Sequence, residues 1–277
     1  EALRPAGMKV CDRIDLILQI FDKHATSAEA KLQIELARIR HMGPRIYNMG
    51  AQLGRQRGGT GTRGGGGEGN TEVMKRHLRE QERRIVEKLE AYEGQHAEQR
   101  KNRSRNDFKT VALVGYTNAG KTSLLNALTK RKEYAADKLF ATLDTRIGEL
   151  YLPDAKTSAL ISDTIGFIQG LPLQLVQAFR STLSEAIHAD LILHVIDATD
   201  PHLDLKLQVV EDILKDLGLA ERPRIRVYNK LDHLETEFSD ELTDAYVSAH
   251  TKVGLDQLRR LISKKLMART VVVPTST

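Results

Sequence analysis

The chain predicts an α/β domain built around a phosphate-binding loop and preceded by an α-helical hairpin, and three observations carry that fold class. Residues Gly115-Tyr116-Thr117-Asn118-Ala119-Gly120-Lys121-Thr122 match the pattern G-x-x-x-x-G-K-[ST] between a strand-like run and a helix-like one. From Phe108 onward strand-like and helix-like segments alternate, the pattern of a mostly parallel sheet with helices on both faces. Ahead of Phe108, apolar residues recur at steps of three and four along two long runs, the spacing of buried helix faces.

In chain order, residues 1–25 read as the remnant of an N-terminal subdomain. Between Val10 and Phe21 apolar and charged residues alternate, which leaves a strand and a short helix both open. Residues 26–107 read as the hairpin. Leu32, Leu36, Ile39, Met42, Ile46, Met49 and Leu53 form one stripe, which Gly43-Pro44 should kink or briefly break. Leu78, Ile85, Leu89 and Tyr92 form the second, on a helix from Thr71 to about Arg103, and antiparallel packing would bury the two stripes together. The connecting stretch, residues 54–70, is rich in Gly, with Arg55, Arg57 and Arg63 as its cations. It has nothing to bury and much backbone entropy to lose, so it does not fold alone. A flexible linker and an RNA-contacting loop are both open for it. The patch Arg100-Lys101-Asn102-Arg103-Ser104-Arg105 reads as a solvated helix end or a second RNA contact.

Residues 108–268 read as the nucleotide domain. Thr110 to Val114 is a buried strand, and Ser123 to Leu128 begins the helix after the loop. Arg146–Leu152 and Ala159–Asp163 flank Pro153-Asp154 as a hairpin pair. Leu191–Asp197 is a buried strand whose His194 reads as core, Leu203–Leu217 a helix, and Leu255–Met267 the last helix. Val271-Val272-Val273-Pro274, within residues 269–277, looks like the start of a further strand.

The loop turns backbone N–H groups inward at a helix N-terminus, where unpaired donors and the helix dipole favour phosphate. Gly115 and Gly120 permit the tight path, while Tyr116, Thr117, Asn118, Ala119 and Ser123 complete the cradle. Lys121 supplies a cation to the β- and γ-phosphates, and Thr122 a hydroxyl for Mg²⁺. Asp163-Thr164-Ile165-Gly166 puts a carboxylate at a strand end, where Asp163 holds Mg²⁺ through water and the Gly166 N–H reaches the γ-phosphate. Asn229-Lys230-Leu231-Asp232 follows another strand. Asp232 there can accept from the N1–H and 2-amino group of guanine, and Lys230 can lay its stem along the base. Adenine has neither donor, so a buried carboxylate rejects it. In Ser248-Ala249-His250 a loop N–H would bind the guanine oxygen. The ordered set makes the ligand GTP or GDP. Phe167 follows Gly166 where many GTPases place a water-orienting Gln, so unaided turnover should be slow.

Charge divides unevenly. Residues 1–109 carry +7 and residues 110–277 carry −2, within a chain of 277 residues and net +5. The basic excess lies outside the nucleotide half and points to a polyanion, most simply RNA, with no DNA partner expected. The lone Cys11 excludes an internal disulfide and reads as core packing in a reducing compartment. No apolar run is long enough for membrane insertion, and the chain is expected to be a monomer. The opening Glu1-Ala-Leu-Arg-Pro has neither signal segment nor initiating Met, so upstream sequence is expected.

These residues resemble the HflX family of translation-associated GTPases. The likeness rests on Val114 to Lys121, Leu139-Phe140-Ala141-Thr142-Leu143-Asp144, Asp163-Thr164-Ile165-Gly166-Phe167 and Leu171-Pro172. It continues through Ala178-Phe179-Arg180-Ser181-Thr182-Leu183, Leu193-His194-Val195-Ile196-Asp197-Ala198 and, upstream, Lys31-Leu32-Gln33-Ile34-Glu35-Leu36. It departs at Gly67-Glu68-Gly69-Asn70-Thr71-Glu72-Val73, where the family usually reads Gly-Glu-Thr-x-Leu-Glu-Thr. The resemblance implies a Mg²⁺-dependent GTPase of the cytoplasm, or of an organelle matrix. Its partner would be the large ribosomal subunit and its rRNA, with the ribosome stimulating hydrolysis and idle or stalled ribosomes being split, recycled or rescued. It assigns residues 54–69, with Arg55, Arg57 and Arg63, a reach toward the peptidyl-transferase centre. Thr142 becomes the switch Thr that joins Mg²⁺ with GTP and leaves after hydrolysis. Asn118 is similar to the Asn of GTPases that hold K⁺, although a loop-stabilising Asn is equally open. Two rival readings are a GTPase acting on another RNA or a membrane-bound regulator, and an RNA-binding module with structural GTP.

Overall fold

The computed structural model describes residues 11–56, 66–105, 108–129, 146–164, 166–168, 179, 183–234 and 244–268. Thr142, Arg57 and Arg63 lie outside them, as do Leu171-Pro172 and the proposed strand at residues 271–274. Two compact units emerge. One comprises Glu1–Ala97 with Pro172–Phe179, the other Glu98–Leu171 with Arg180–Thr277.

The first unit is helical. Its opening segment is α1 (Arg13–His24), which settles the alternation around Val10–Phe21 in favour of a helix. Asp12 caps it by accepting from the Asp15 N–H at 2.7 Å, and the Asp15 carboxylate returns to the Asp12 N–H at 3.4 Å. Each such cap is worth about 1 kcal/mol. Ile17, Leu18 and Phe21 are buried, at helical spacing, so the alternation was one apolar stripe seen in short section. Phe21 meets Phe179 edge-on at 4.9 Å between ring centroids, and burial of such a ring contributes about 1.5–3 kcal/mol. Cys11 is exposed rather than packed in the core, because it precedes the cap and lies outside the buried stripe.

Helix α2 (Ala28–Gln56) opens where Ser27 Oγ accepts from the Ala30 N–H at 3.0 Å. It runs unbroken through Gly43-Pro44, so of the kink or brief break expected there the break does not occur. Pro deletes one donor, and the backbone bonds on either side hold the turn. Helix α3 (Gly66–Arg105) also begins earlier than its apolar stripe does, taking in part of the Gly-rich stretch. Once a helix is nucleated, each added residue gains a bond, which offsets the cost of Gly. Leu36, Ile39 and Ile85 form the buried seam, with Leu32, Leu78 and Leu89 against it. Arg40 Nε donates to Glu82 at 2.8 Å and Gln81 to Glu35 at 2.6 Å, which fixes the register of the pair.

The second unit is a six-stranded sheet in the order β2-β3-β1-β4-β5-β6. Strands β1 (Lys109–Gly115), β3 (Thr157–Asp163), β4 (Leu191–Asp197), β5 (Arg224–Asn229) and β6 (Asp244–Tyr246) run parallel, while β2 (Arg146–Leu152) pairs antiparallel with β3. Helices α4 (Lys121–Leu128) and α7 (Leu255–Met267) cover one face through Leu124, Leu125, Leu128, Leu258 and Ile262, which pack on Val111, Leu113, Leu193 and Val227. The alternate residues Ala112, Val114, Ile192 and Ile196 are buried too, on the face of α5 (Ser184–His188) and α6 (Leu203–Asp216). Burial on both faces explains why these strands read as continuous apolar runs.

His194 is 1 % exposed on β4, with its Nδ1 3.5 Å from Glu211 of α6, which also ion-pairs with Arg224. It is core, but polar core. The basic stretch at the end of α3 divides, with Lys101 and Arg105 exposed to solvent and Arg100 and Arg103 turned onto the protein. Arg100 donates to Ser184 Oγ at 2.8 Å, and Arg103 grips Glu185 with bonds of 2.9 and 3.1 Å. Those two cations are engaged within the protein. Among the described residues, no helix is long and apolar enough to cross a membrane.

Candidate functional site

The parallel strands β1, β3, β4 and β5 end at one edge, and the loops beyond those ends build the site. Gly115 closes β1 where any Cβ would collide with the Val195 carbonyl, so the chain can turn there only without a side chain. Asn118 (φ 64°) and Gly120 (φ 88°) take left-handed conformations, which bend the loop around its own N–H groups. A Cβ on Gly120 would strike the Asn229 carboxamide.

Lys121 is buried at the start of α4, where its Nζ donates to the Gly115 and Tyr116 carbonyls at 3.2 and 3.0 Å. Burial pushes its ammonium down to about 8, with the Asp163 carboxylate acting against that shift. An anion arriving at the loop would favour the charged form further. Thr122 Oγ1 donates to Asp163 Oδ2 at 2.6 Å. Two hard oxygen donors so placed suit Mg²⁺, which takes one or two such protein ligands alongside substrate phosphate. Gly166 passes so near that a Cβ would lie 3.1 Å from Lys121 Nζ.

Phe167 has a role that residue type alone did not reveal. Its N–H donates to the Gly115 carbonyl at 3.0 Å and its carbonyl accepts from the Thr117 N–H at 2.8 Å, while the ring is buried. Its main chain therefore continues the β1–β3 pairing into the phosphate loop. The buried ring carries no group able to orient water.

Of the residues expected to read the base, Asn229, Lys230, Asp232, Ala249 and His250 line a cleft of about 410 Å³ together with Gly120, Ser123 and His233, whereas Ser248 does not. Asn229 ties three segments together, donating to the Ala119 carbonyl at 3.0 Å and accepting from the Ala249 N–H at 3.0 Å. Ser248 Oγ donates to Asp232 Oδ1 at 2.6 Å. That hydrogen bond is the main reason the Asp232 carboxyl sits below its ordinary range, so it is an ionised acceptor at neutral pH. The Ser248 N–H bonds the Val253 carbonyl at 3.0 Å, so the loop's donor to a guanine oxygen is not that of Ser248. Its side chain instead orients Asp232. His233 joins the lining without having been foreseen, since a lone His beside an acidic motif carries no distinct signal.

Residues 110–230 match the family model for the 50S ribosome-binding GTPase, and residues 24–103 match that for the GTP-binding GTPase Middle Region. A GTPase HflX from Caldanaerobacter subterraneus subsp. tengcongensis is 51% identical over 267 residues, which cover 96% of this chain and 62% of that protein. The GTPase HflX of Escherichia coli is 40% identical over 265 residues, covering 93% and 62% respectively. The fold is similar to that of a GTP-binding protein from the hyperthermophilic archaeon Sulfolobus solfataricus in complex with GDP. The TM-score is 0.56 at 27% identity, over 95% of this chain and 75% of that one. The chain spans about three fifths of the length of the curated relatives it matches.

Proposed function

The chain belongs to the HflX family of GTPases, and from that premise we propose that it binds GTP and hydrolyses it to GDP and phosphate. The observation that carries this reading is the single cleft in which Gly120 and Ser123 of the phosphate loop meet Asn229, Lys230 and Asp232. Lys121 would neutralise phosphate charge, Asp232 would select guanine, and Gly166 would offer its N–H to the γ-phosphate. Thr122 and Asp163 would hold Mg²⁺, which supplies charge stabilisation to the transferring phosphoryl group. Thr142 would complete that set, and Asn118, exposed at the loop's tip, would take K⁺.

Within the whole protein, the partner would be the large ribosomal subunit. The matched family's description as a 50S ribosome-binding GTPase supports this, as does the +7 charge of residues 1–109. Arg55, Arg57 and Arg63 would reach rRNA from the hairpin's tip, and bound ribosomes would be split, recycled or rescued in the cytoplasm. Calorimetric titration with GDP, a GTP analogue and ATP, each with Mg²⁺, tests the nucleotide part. Binding of both guanine nucleotides without ATP is expected. Equal affinity for ATP would overturn it.

A further inference from the structure

The guanine motif leaves unexplained what aims its lysine. Lys230 sits at φ 71° and ψ 32°, a left-handed backbone that a long side chain rarely adopts, so its stem leaves the strand end along an unusual direction. Its ammonium donates to Asp197 Oδ2 at 2.7 Å, with the two side chains 26% and 17% exposed. Asp197 ends β4 directly beside Asn229 in the strand register. Its other oxygen, Oδ1, accepts from the Thr199 N–H at 3.0 Å and the Thr199 hydroxyl at 2.7 Å, so the carboxylate is held from both sides. One residue further on, the Ala198 N–H donates to the Asn229 carbonyl at 3.0 Å. The β4–α6 turn and the guanine motif are thus joined through main chain and side chain together. Asp197 is not among the residues lining the cleft, whereas Lys230 is.

We infer that Asp197 is a positioning residue for guanine binding, which pins the Lys230 ammonium so that the aliphatic stem forms one wall of the base site. The inference rests on the cleft being the guanine site. A four-carbon stem left free explores many rotamers, and ordering it when the base arrives costs affinity that a pre-formed ion pair avoids. The role requires the charge of Asp197 and the ammonium of Lys230, but no contact between Asp197 and nucleotide.

Asp197→Asn keeps the oxygen that Thr199 bonds and removes the charge that Lys230 bonds, while Lys230→Met keeps most of the stem and removes the ammonium. GDP affinity and steady-state GTP hydrolysis of the single and double variants form a thermodynamic cycle. Asp197→Asn should weaken GDP binding about five- to tenfold and raise KM similarly, with kcat at saturation within about twofold. In the Lys230→Met background the same change should cost less than about twofold. A loss below twofold in the wild-type background, or a loss of equal size in both, overturns the assignment. Absence of GDP binding by the unmodified protein would instead overturn the guanine site itself.

Discussion

Replacing Asp232 by Asn tests base selection with a change of one atom. Ser248 Oγ donates to Asp232 Oδ1 at 2.6 Å, while Oδ2 stands 3.5 Å from His233 and 3.7 Å from His250, both of which line the cleft. In Asp232→Asn the Ser248 hydroxyl still requires an acceptor, so the carboxamide oxygen takes the Oδ1 position and the NH₂ group takes that of Oδ2. A donor then faces the 2-amino group of guanine, itself a donor. The variant loses a charge-assisted hydrogen bond and leaves two buried donors opposed, which costs about 2–4 kcal/mol. That is about 30- to 1000-fold in affinity for GTP. Xanthine carries a carbonyl at the same carbon, so XTP should gain where GTP loses. Competition of GTP, XTP and ATP against a fluorescent GDP analogue reads the preference directly. An unchanged GTP preference in the variant would place the base somewhere other than at Asp232.

Three further outcomes follow from the same geometry. Gly120→Ala forces a Cβ onto the Asn229 carboxamide at φ 88°, a strain of about 1–3 kcal/mol, and should lower Tm and reduce GDP affinity together; unchanged affinity would mean the loop yields without consequence. Glu211 is held down to about 2, chiefly by the His194 imidazole beside it and also by the Arg224 guanidinium, so it contributes stability above pH 4.5 that is lost as the pH falls through about 2. Glu211→Gln should therefore cost about 1–2 kcal/mol at pH 7 after allowance for solvent screening, and the gap to wild type in urea unfolding should narrow below pH 4.5. A gap that widens on acidification contradicts that assignment. Replacing Arg55, Arg57 and Arg63 by Ala should weaken binding to large ribosomal subunits and flatten its salt dependence, with GTP affinity unchanged. Full binding by the triple variant would reduce residues 54–69 to a linker.

Much of the nucleotide half was legible because its strands are buried on both faces and its turns carry chemistry. Leu191–Asp197 and Leu255–Met267 are read from the sequence with the bounds they have in the structure. Helix α1 was undecidable because a stripe of Ile17, Leu18 and Phe21 is too short to distinguish periods of two and of three to four. The extent of the hairpin helices was underestimated because a Gly costs only about 1 kcal/mol in a helix that is already nucleated. Arg100 and Arg103 looked like a surface patch because their partners, Ser184 and Glu185, lie more than eighty residues away in the chain. Ser248 and Asp197 share that limitation. Each bonds a side chain of the cleft, Asp232 and Lys230 respectively, and nothing in the local pattern of either announces its partner.

Single-turnover GTP hydrolysis measured against increasing concentrations of purified large ribosomal subunit tests the central claim most directly, because it requires the proposed guanine site and the basic N-terminal half to work as one protein. With a buried Phe167 ring in place of a water-orienting side chain, the unaided rate should be low. It should rise and saturate as subunits are added, with GTP as substrate and not with ATP. A rate that is the same with and without the subunit would contradict the account.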